Sequence, residues 1–224
     1  MELIASPRVD FLRALTAEIA HNYSRGRVFV AVDGILGSGT SEFADGLAAT
    51  FREAGHDTFR ASIDDFQNPR SQRERQRADS ARGFYDDTYD YVTFRRVLVD
   101  PFRMGGSAGF QTSAFDVRRD APRESRWLSA GGDAICIVDG PLLNRSELRG
   151  IWNYSIYLET PWRVAYARLA EHGDVDADPE APSNARTRRG QDLYLAEAFP
   201  RGAAGAIVDN TDPEHPTRVF ADSC

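Results

Sequence analysis

The chain has 224 residues, which predicts a single domain over 1–224, since domains commonly hold about 100–200 residues. Hydrophobic residues make up 42% of the sequence, enough for a sizeable core, and no apolar run approaches the roughly 20 residues that span a bilayer. The net charge of −7 argues against nucleic acid as the main partner, because nucleic-acid-binding proteins present a basic face. We therefore expect neither a membrane nor a nucleic-acid partner.

The cysteine and lysine content limits the metal sites and the catalytic mechanisms that the chain can have. Cys136 lies in an apolar run, which predicts a buried thiol, and Cys224 is terminal, so the two offer no metal-binding spacing. This usage, together with an amino terminus that lacks signal-peptide character, favours a cytoplasmic protein. All 27 basic residues are arginine, so any mechanism that needs a lysine is excluded. The sequence leaves open whether the protein forms a homo-oligomer.

The first elements predicted along the chain are a helix and a strand. Ser6 and Pro7 are typical of a helix start, and the apolar spacing after them predicts a helix over 7–22. The continuous apolar run 28–32 predicts a strand that is buried on both faces of a parallel sheet. A glycine-rich turn at 34–39 then leads into a segment with helical spacing.

The later elements continue this alternation. The segment 68–90 is polar, arginine-rich and aromatic, which is typical of an elaborated loop, and 110–120 shows no clear period. The other predicted elements, in chain order, are a helix around 43–51, a strand at 58–63, a helix over 91–99, strands at 134–140 and 155–158, a helix over 161–171, a helix over 191–199 and a strand at 206–208.

Strands that alternate with helices predict an α/β fold with a mostly parallel central sheet. Ligands of such sheets bind at the carboxyl ends of the strands. Four acids fall at these predicted ends and are therefore candidates for the site: Asp33, Asp64, Asp139 and Asp209.

The turn after the first strand has the frame of a phosphate-binding loop. In the pattern G-x-x-x-x-G-K-[ST], Gly34 and Gly39 occupy the glycine positions and Ser41 the hydroxyl position, whereas Thr40 replaces the lysine. Successive backbone N–H groups and the start of a helix favour a bound phosphate. A glycine-rich turn without a ligand is the alternative interpretation.

Two acidic positions suggest the chemistry of phosphate transfer. A carboxylate at Asp64, on the strand next to the phosphate loop, could accept a proton from an attacking hydroxyl or ligate magnesium through water. Asp139 ends another buried strand, where an acid would help to organise magnesium. Acids at strand ends also cap helices, so each position taken alone has a purely structural alternative.

Two further segments carry candidate ligand-binding side chains. Aromatic rings beside carboxylates at 83–90 suit a nucleoside, although an ordinary folded loop explains the same composition. Arginines around a mobile lid over 172–190 could clamp transferring phosphates, with a solvated surface as the alternative. These arginines are Arg163, Arg168, Arg186, Arg188 and Arg189.

Taken in order, these segments resemble the uridine kinase family of P-loop kinases, over about residues 27–216. The resemblance implies a P-loop NTPase-type three-layer α/β sandwich with a mostly parallel sheet and a small lid. The motifs that carry it are VDG at 32–34, DDF at 64–66 with PR at 69–70, GFYDDTYD at 83–90, TSAFD at 112–116, VDG at 138–140, GQDLYL at 190–195 and VDN at 208–210.

The resemblance also implies roles for individual residues. Asp64 would take the proton of the acceptor hydroxyl, while Arg168 and Arg188 would act on the transferring phosphate from the lid. Magnesium would be held by Ser41, Asp64 and Asp139. The residues that would bind ATP are Gly34, Gly37, Ser38, Gly39, Thr40, Ser41, Asp209 and Asn210. The residues that would bind the acceptor, around an insertion at 68–90, are Phe66, Tyr85, Asp86, Phe115 and Asp116.

These features predict an ATP- and Mg²⁺-dependent phosphotransferase. Its acceptor would be a hydroxyl of a nucleoside, such as uridine or cytidine, or of a similar small molecule. Thr40 lacks the ammonium that bridges the β- and γ-phosphates, so the alternative is a nucleotide-binding or regulatory protein with impaired catalysis. Gln67 stands where family members often carry His or Tyr, and pantothenate kinases and phosphoribulokinases are similar in architecture, so the acceptor stays open. A GTPase switch is disfavoured because its guanine-recognition motif contains a lysine.

Overall fold

The computed structural model describes residues 3–173 and 175–220, so Cys224 lies outside the described residues. The strands are β1 (Arg27–Gly34), β2 (Asp57–Ser62), β3 (Phe115–Asp116), β4 (Ala121–Pro122), β5 (Ala134–Gly140), β6 (Tyr154–Glu159), β7 (Ala206–Asp209) and β8 (Thr217–Val219). The α-helices are α1 (Pro7–Asn22), α2 (Thr40–Glu53), α3 (Arg70–Arg73), α4 (Ala81–Asp87), α5 (Tyr91–Phe94), α6 (Asp100–Met104), α7 (Trp162–His172), α8 (Ala185–Ala198) and α9 (Pro200–Ala203).

The central sheet has six strands in the order β2–β5–β1–β6–β7–β8. The first five strands are parallel, and β8 pairs with β7 in the antiparallel direction. In β1, every residue after Arg27 is buried, as expected for a strand covered on both faces. This arrangement confirms the predicted α/β fold with a mostly parallel sheet.

Hydrophobic side chains fill both sides of the sheet. One cluster joins Val30 and Val32 of β1 to Phe43, Leu47 and Phe51 of α2, with α1 packed outside. The other joins the opposite face of β1 and β5 to α4, α5 and α6, and it contains the buried Cys136. Helices thus cover both faces, which makes a three-layer sandwich. Among the described helices, none is both long and apolar enough to cross a bilayer.

The structure departs from the predicted elements mainly in the middle of the chain. Instead of an elaborated loop, 68–90 contains α3 and α4, and α4 begins where Ser80 accepts a hydrogen bond from the N–H of Gly83. Helix α4 packs on α8, and a Cβ atom at Gly190 would lie 2.4 Å from the ring of Phe84. Tertiary packing therefore stabilises a seven-residue helix that has no long amphipathic period of its own.

Other boundaries also differ from the predictions. The helix predicted over 91–99 continues through a π-helical segment at Arg95–Val99 into α6. Helix α8 begins at Ala185, six residues before its predicted start, so Arg186, Arg188 and Arg189 lie on a helix rather than in a loop. The hairpin of β3 and β4 begins in the segment 110–120, which has no clear period, and each of its strands has only two residues.

Candidate active site

The turn between β1 and α2 requires glycine at two positions. Gly37 and Gly39 have φ angles of +81° and +87°, in the left-handed region that favours glycine. A Cβ atom at Gly37 would lie 2.2 Å from the carbonyl oxygen of Ala165 in α7. Glycine therefore serves both the backbone conformation of the loop and its close packing on α7.

Two backbone donors of this turn have no partner within the described part of the chain. Ser38 donates its N–H to the carbonyl oxygen of Ile35 over 3.0 Å, whereas the N–H groups of Gly37 and Gly39 have no acceptor among the described residues. The N–H groups in the first turn of α2 also lack intrahelical partners. Free N–H groups at a helix start bind anions, so this geometry fits a phosphate.

A cavity of about 590 Å³, the phosphate cavity below, lies beside the loop. Its lining includes Thr40 and Ser41 at the start of α2, Asp64 just after β2, and Arg168 of α7. Cavities of this size commonly hold small ligands. The phosphate cavity therefore brings together the predicted loop residues, the predicted base and one predicted lid arginine.

Arg168 supplies an unsatisfied donor beside the loop. Its Nη2 donates to the carbonyl oxygens of Asn210 over 3.1 Å and Thr211 over 2.8 Å. Its Nη1 is buried without a hydrogen-bond partner in the described part of the chain, and lies 3.9 Å from where a Cβ atom of Gly39 would be. Leaving a buried donor unpaired is costly, so Nη1 fits a contact to a bound phosphate.

The predicted magnesium residues Ser41 and Asp139 are in direct contact. Ser41 Oγ donates to Oδ2 of Asp139 over 2.5 Å, and Asp139 is almost completely buried. The other oxygen, Oδ1, accepts from Nη2 of Arg60 over 2.8 Å. Sequence reasoning missed Arg60, although a charged residue in the middle of a predicted strand was a signal that could have identified it.

Magnesium fits these oxygen atoms better than a metal that needs an all-protein cage. Among residues 3–173 and 175–220, no group of three or more His, Cys, Asp or Glu side chains could hold a metal ion. Magnesium commonly binds through one or two carboxylates together with substrate phosphates and water. Ser41, Asp139 and Asp64 would hold it beside a nucleotide bound in the phosphate cavity.

Asp64 has two donors on one carboxylate oxygen. Tyr89 donates its hydroxyl to Oδ1 over 2.9 Å, and the side-chain amide of Gln67 donates to the same atom over 3.0 Å. Burial raises the pKa of Asp64, the two donors oppose that rise, and the negative charge of Asp139 adds to it. A carboxyl with a raised pKa suits proton transfer near neutral pH.

A second cavity, of about 780 Å³, is also lined by Asp64. We call it the hairpin cleft, because Phe115 and Asp116 of β3 and the hairpin turn line it together with Asp64 and Asp65. The carboxylate of Asp116 accepts hydrogen bonds from the backbone N–H groups of Arg118 and Arg119 and so stabilises the turn. Three arginines of the hairpin also line the cleft, and sequence reasoning missed them: Arg118, Arg119 and Arg123.

The structure does not bring Tyr85 and Asp86 together with Asp64. Neither residue lines the phosphate cavity or the hairpin cleft. The ring of Tyr85 is buried, and the guanidinium of Arg145 lies 3.8 Å from its centroid. The carboxylate of Asp86 is paired with Arg82 over 2.7 Å. Phe66, the remaining predicted acceptor residue, is buried in the core.

Of the predicted lid arginines, only Arg168 reaches the phosphate cavity. Arg188 is stacked on Trp162, 3.8 Å from the ring centroid, and its Nη1 is bonded to Asp192. Arg186 donates to the backbone carbonyl of Arg73 over 2.7 Å. The two others, Arg163 and Arg189, are exposed.

Asn210, one of the predicted ATP-binding residues, contacts the loop itself. Nδ2 of Asn210 donates to the carbonyl oxygen of Ser38 over 2.7 Å. Asp209 lines a smaller cavity of about 350 Å³ that also includes Ile35 of the loop and Trp162. The residue after β7, a strand on the other side of β1 from β2 in the sheet, therefore supports the loop.

A buried polar network ties α8 to the loop. Asp33, fully buried at the end of β1, accepts from the hydroxyl of Tyr194 and from Nδ2 of Asn144. Oε1 of Gln191, one turn earlier on α8, accepts from the N–H of Leu36 over 2.6 Å. Burial raises the pKa of Asp33 to about 6, although its hydrogen bonds oppose that rise.

No protein-family model and no curated protein sequence matches the chain. Solved structures do match. A possible uridine kinase from Bacillus stearothermophilus superposes with a TM-score of 0.69 at 21% identity, over 89% of this chain and 96% of that one. A protein from Silicibacter sp. TM1040, provisionally described as a fructose transport system kinase, superposes with a TM-score of 0.62 at 25% identity. The match covers 86% of this chain and 94% of that one.

A third match is D-glycerate 3-kinase from Cryptococcus neoformans, with a TM-score of 0.61 at 13% identity, over 96% of this chain and 99% of that one. All three superpose on this chain across nearly their whole length. The chain has the fold of the uridine kinase-like P-loop kinases.

Proposed function

We propose that the protein is an ATP-dependent phosphotransferase that acts on a hydroxyl of a small molecule. The observation that carries this proposal is the position of Asp64, which lines both the phosphate cavity and the hairpin cleft. A hydroxyl presented from the cleft can give its proton to Asp64 while it faces a phosphate on the loop. That arrangement meets the positional requirement of in-line phosphoryl transfer.

Each part of the site has a place in this proposal. The N–H groups of the loop and Nη1 of Arg168 would bind the phosphates, and the hydroxyl of Thr40 adds a neutral donor. Magnesium, bound with ATP at Ser41 and Asp139, would supply positive charge for the transferring phosphate. Tyr89, at the end of the 68–90 insertion, orients the base Asp64.

The lid over 172–190 has a narrower role in this proposal than the resemblance implies. Arg188, which the resemblance places at the transferring phosphate, would serve instead to fix the start of α8 against Trp162. Helix α8 in turn stabilises the loop through Gln191. We assign all of these parts to one domain.

The acceptor belongs on the hairpin side of Asp64. A nucleoside remains our first candidate on the resemblance, with Phe115 and Asp116 beside it. The hairpin arginines favour a second candidate, a hydroxyl compound with a carboxylate or phosphate group, since Arg118 and Arg119 form no ion pair among the described residues. Arginine recognises such anionic groups through its fork of N–H donors.

A panel of acceptors tests both candidates at once. The purified protein, ATP and Mg²⁺ would be incubated with neutral nucleosides, sugar phosphates and hydroxy acids, and the phosphorylated products identified by mass spectrometry. We expect transfer to at least one compound of the panel. If ATP binds by calorimetry but no compound is phosphorylated, the phosphotransferase proposal fails and the alternative of a catalytically impaired nucleotide-binding protein replaces it.

A further inference from the structure

Arg60 of β2 is a partly buried cation that contacts Asp139, one of the predicted magnesium residues. It projects from the middle of the strand, where Nη2 donates to Oδ1 of Asp139 over 2.8 Å and Nε donates to Oδ1 of Asp45 over 3.0 Å. Nη1 donates to the carbonyl oxygen of Ile137 over 3.0 Å. The guanidinium therefore has a fixed position between β2, β5 and α2.

Asp139 is the partner that matters electrostatically. Its side chain is 1% exposed, whereas that of Asp45 is 73% exposed, so solvent screens the second ion pair far more strongly. Both oxygens of Asp139 are occupied, Oδ1 by Arg60 and Oδ2 by Ser41. Without Arg60, a buried carboxylate beside the phosphate cavity would have only a hydroxyl donor, which is a costly state for a charge.

We propose that Arg60 compensates for the lysine that Thr40 replaces. It does so as a positioning residue that neutralises Asp139 and fixes its contact with Ser41, without touching the phosphates. This inference rests on the proposed function, because it assumes that nucleotide phosphates bind at the loop. It assigns to Arg60 a role that is separate from that of Arg168, which lines the phosphate cavity directly.

The charge balance explains why such a residue is needed. A lysine at position 40 would place one positive charge next to Ser41, which contacts Asp139. Here position 40 is neutral, so Asp139 alone would repel the nucleotide, and Arg60 restores the balance through the carboxylate oxygen that Ser41 does not contact. Interactions between charges extend over several Å in a partly buried site, so contact with the phosphates is not required.

Nucleotide binding without any acceptor gives the primary test. Affinity for ATP would be measured by calorimetry, with Mg²⁺ and with EDTA, for the wild type, Arg60→Gln and Arg60→Lys. We expect Arg60→Gln to weaken binding about tenfold or more under both conditions, and Arg60→Lys to retain most of the affinity, because it keeps the charge. The matched control is Arg52→Gln: among the residues that the structure describes, its side chain donates only to the carbonyl of Thr58, and Arg52 lines neither cavity.

A double variant separates the electrostatic role from a purely structural one. Arg60→Gln with Asp139→Asn has the same net charge as the wild type, so its Mg²⁺-free affinity should return to within a few-fold of the wild-type value. Thr40→Lys should improve ATP affinity more in the Arg60→Gln background than in the wild type, because it replaces the lost charge. Melting temperatures would show that each variant is folded.

The outcomes are distinguishable. If Arg60→Gln binds ATP as well as Arg52→Gln does, or if Thr40→Lys has the same effect in both backgrounds, the role of Arg60 is refuted. Should Arg60→Gln fail to fold, Asp139→Asn alone decides the matter: it leaves the charge of Arg60 unopposed and should tighten Mg²⁺-free ATP binding, and an unchanged affinity refutes the role of Arg60. If the wild type itself binds no ATP, the proposed function fails, whereas normal ATP binding that is insensitive to Arg60 overturns this inference alone.

Discussion

The hydroxyl of Tyr89 donates a hydrogen bond to Oδ1 of Asp64 over 2.9 Å. The two residues belong to different segments, since Tyr89 ends the 68–90 insertion and Asp64 follows β2. A donor to a carboxylate stabilises its ionised form, so this contact keeps Asp64 able to accept a proton despite its burial. The insertion therefore acts on the candidate base through Tyr89 rather than through Tyr85 or Asp86.

Replacing Tyr89 should shift the pH dependence of transfer. Because Tyr89→Phe removes a donor to the ionised carboxylate, the pKa of Asp64 should rise further, and the acidic limb of the kcat/KM profile should move to higher pH. Tyr91→Phe is the matched control, because the hydroxyl of Tyr91 is buried without a hydrogen-bond partner among the described residues. A profile that is unchanged by Tyr89→Phe, or shifted equally by both variants, contradicts the assignment of Asp64.

The two predicted lid arginines should differ in their effect on ATP binding. Arg168→Ala removes the unsatisfied Nη1 from the phosphate cavity and should raise the Kd for ATP by about tenfold or more, since hydrogen bonds to charged groups contribute about 1.5–3 kcal/mol. Arg188→Ala should leave this Kd within about threefold and should lower the melting temperature instead, because Arg188 is stacked on Trp162. Calorimetry and thermal unfolding measure both quantities. Equal losses of ATP affinity in the two variants would exclude this division of roles.

Asp33 should contribute less to the stability of the protein as the pH rises. Its folded pKa of about 6 lies above the ordinary value of 3.8, so the folded protein binds the proton more tightly than the unfolded chain does. The contribution of Asp33 to the free energy of unfolding should therefore fall as the pH rises from about 4 to about 7. The unfolding free energy of the wild type minus that of Asp33→Asn, measured by urea denaturation, should decrease over this range.

A substitution of an exposed acid, Asp79→Asn, serves as the control for the titration of Asp33. The unfolding free energy of the wild type minus that of Asp79→Asn should stay nearly constant between about pH 4 and pH 7. A rising difference for Asp33→Asn would mean that the buried carboxyl has a lowered pKa, which would contradict the raised value inferred from its burial.

The hairpin arginines give a prediction about the acceptor. If the acceptor carries a carboxylate or phosphate, Arg118→Gln with Arg119→Gln should raise its KM about tenfold or more with little change in kcat, because the arginines bind a part of the molecule that does not react. Arg126→Gln, an exposed arginine outside the lining of the cleft, is the control. An unchanged KM for the double variant would leave a neutral acceptor, such as a nucleoside, as the better candidate.

Most of the fold could be predicted from the sequence, because its signals are local and strong. The apolar runs that became β1 and β5 are long, and the glycines of the loop stand at fixed spacing. By contrast, α4 is a short helix stabilised by α8, and the β3–β4 hairpin has two residues in each strand. Elements whose stability comes from distant packing leave little periodicity to detect.

The candidate site was predictable where one motif determines the geometry and less so where several segments meet. The loop, Asp64 and Asp139 occupy the places expected for them at the carboxyl ends of strands. Tyr85 and Asp86 were assigned from a motif, but Arg145, which is distant in sequence, covers the ring of Tyr85. The contacts of Arg60 likewise depend on the register between β2 and β5, which one segment alone does not reveal.

Transfer of the γ-phosphate by the wild type and by Asp64→Asn tests the central claim most directly. Single-turnover reactions with γ-labelled ATP, Mg²⁺ and the best acceptor of the panel would follow formation of the labelled product, while calorimetry measures ATP binding by both proteins. We predict that Asp64→Asn lowers the transfer rate at saturating ATP roughly a hundredfold or more, as expected for loss of a general base. Equal transfer rates for the two proteins would contradict the assignment of Asp64 as the base, although it lines both cavities.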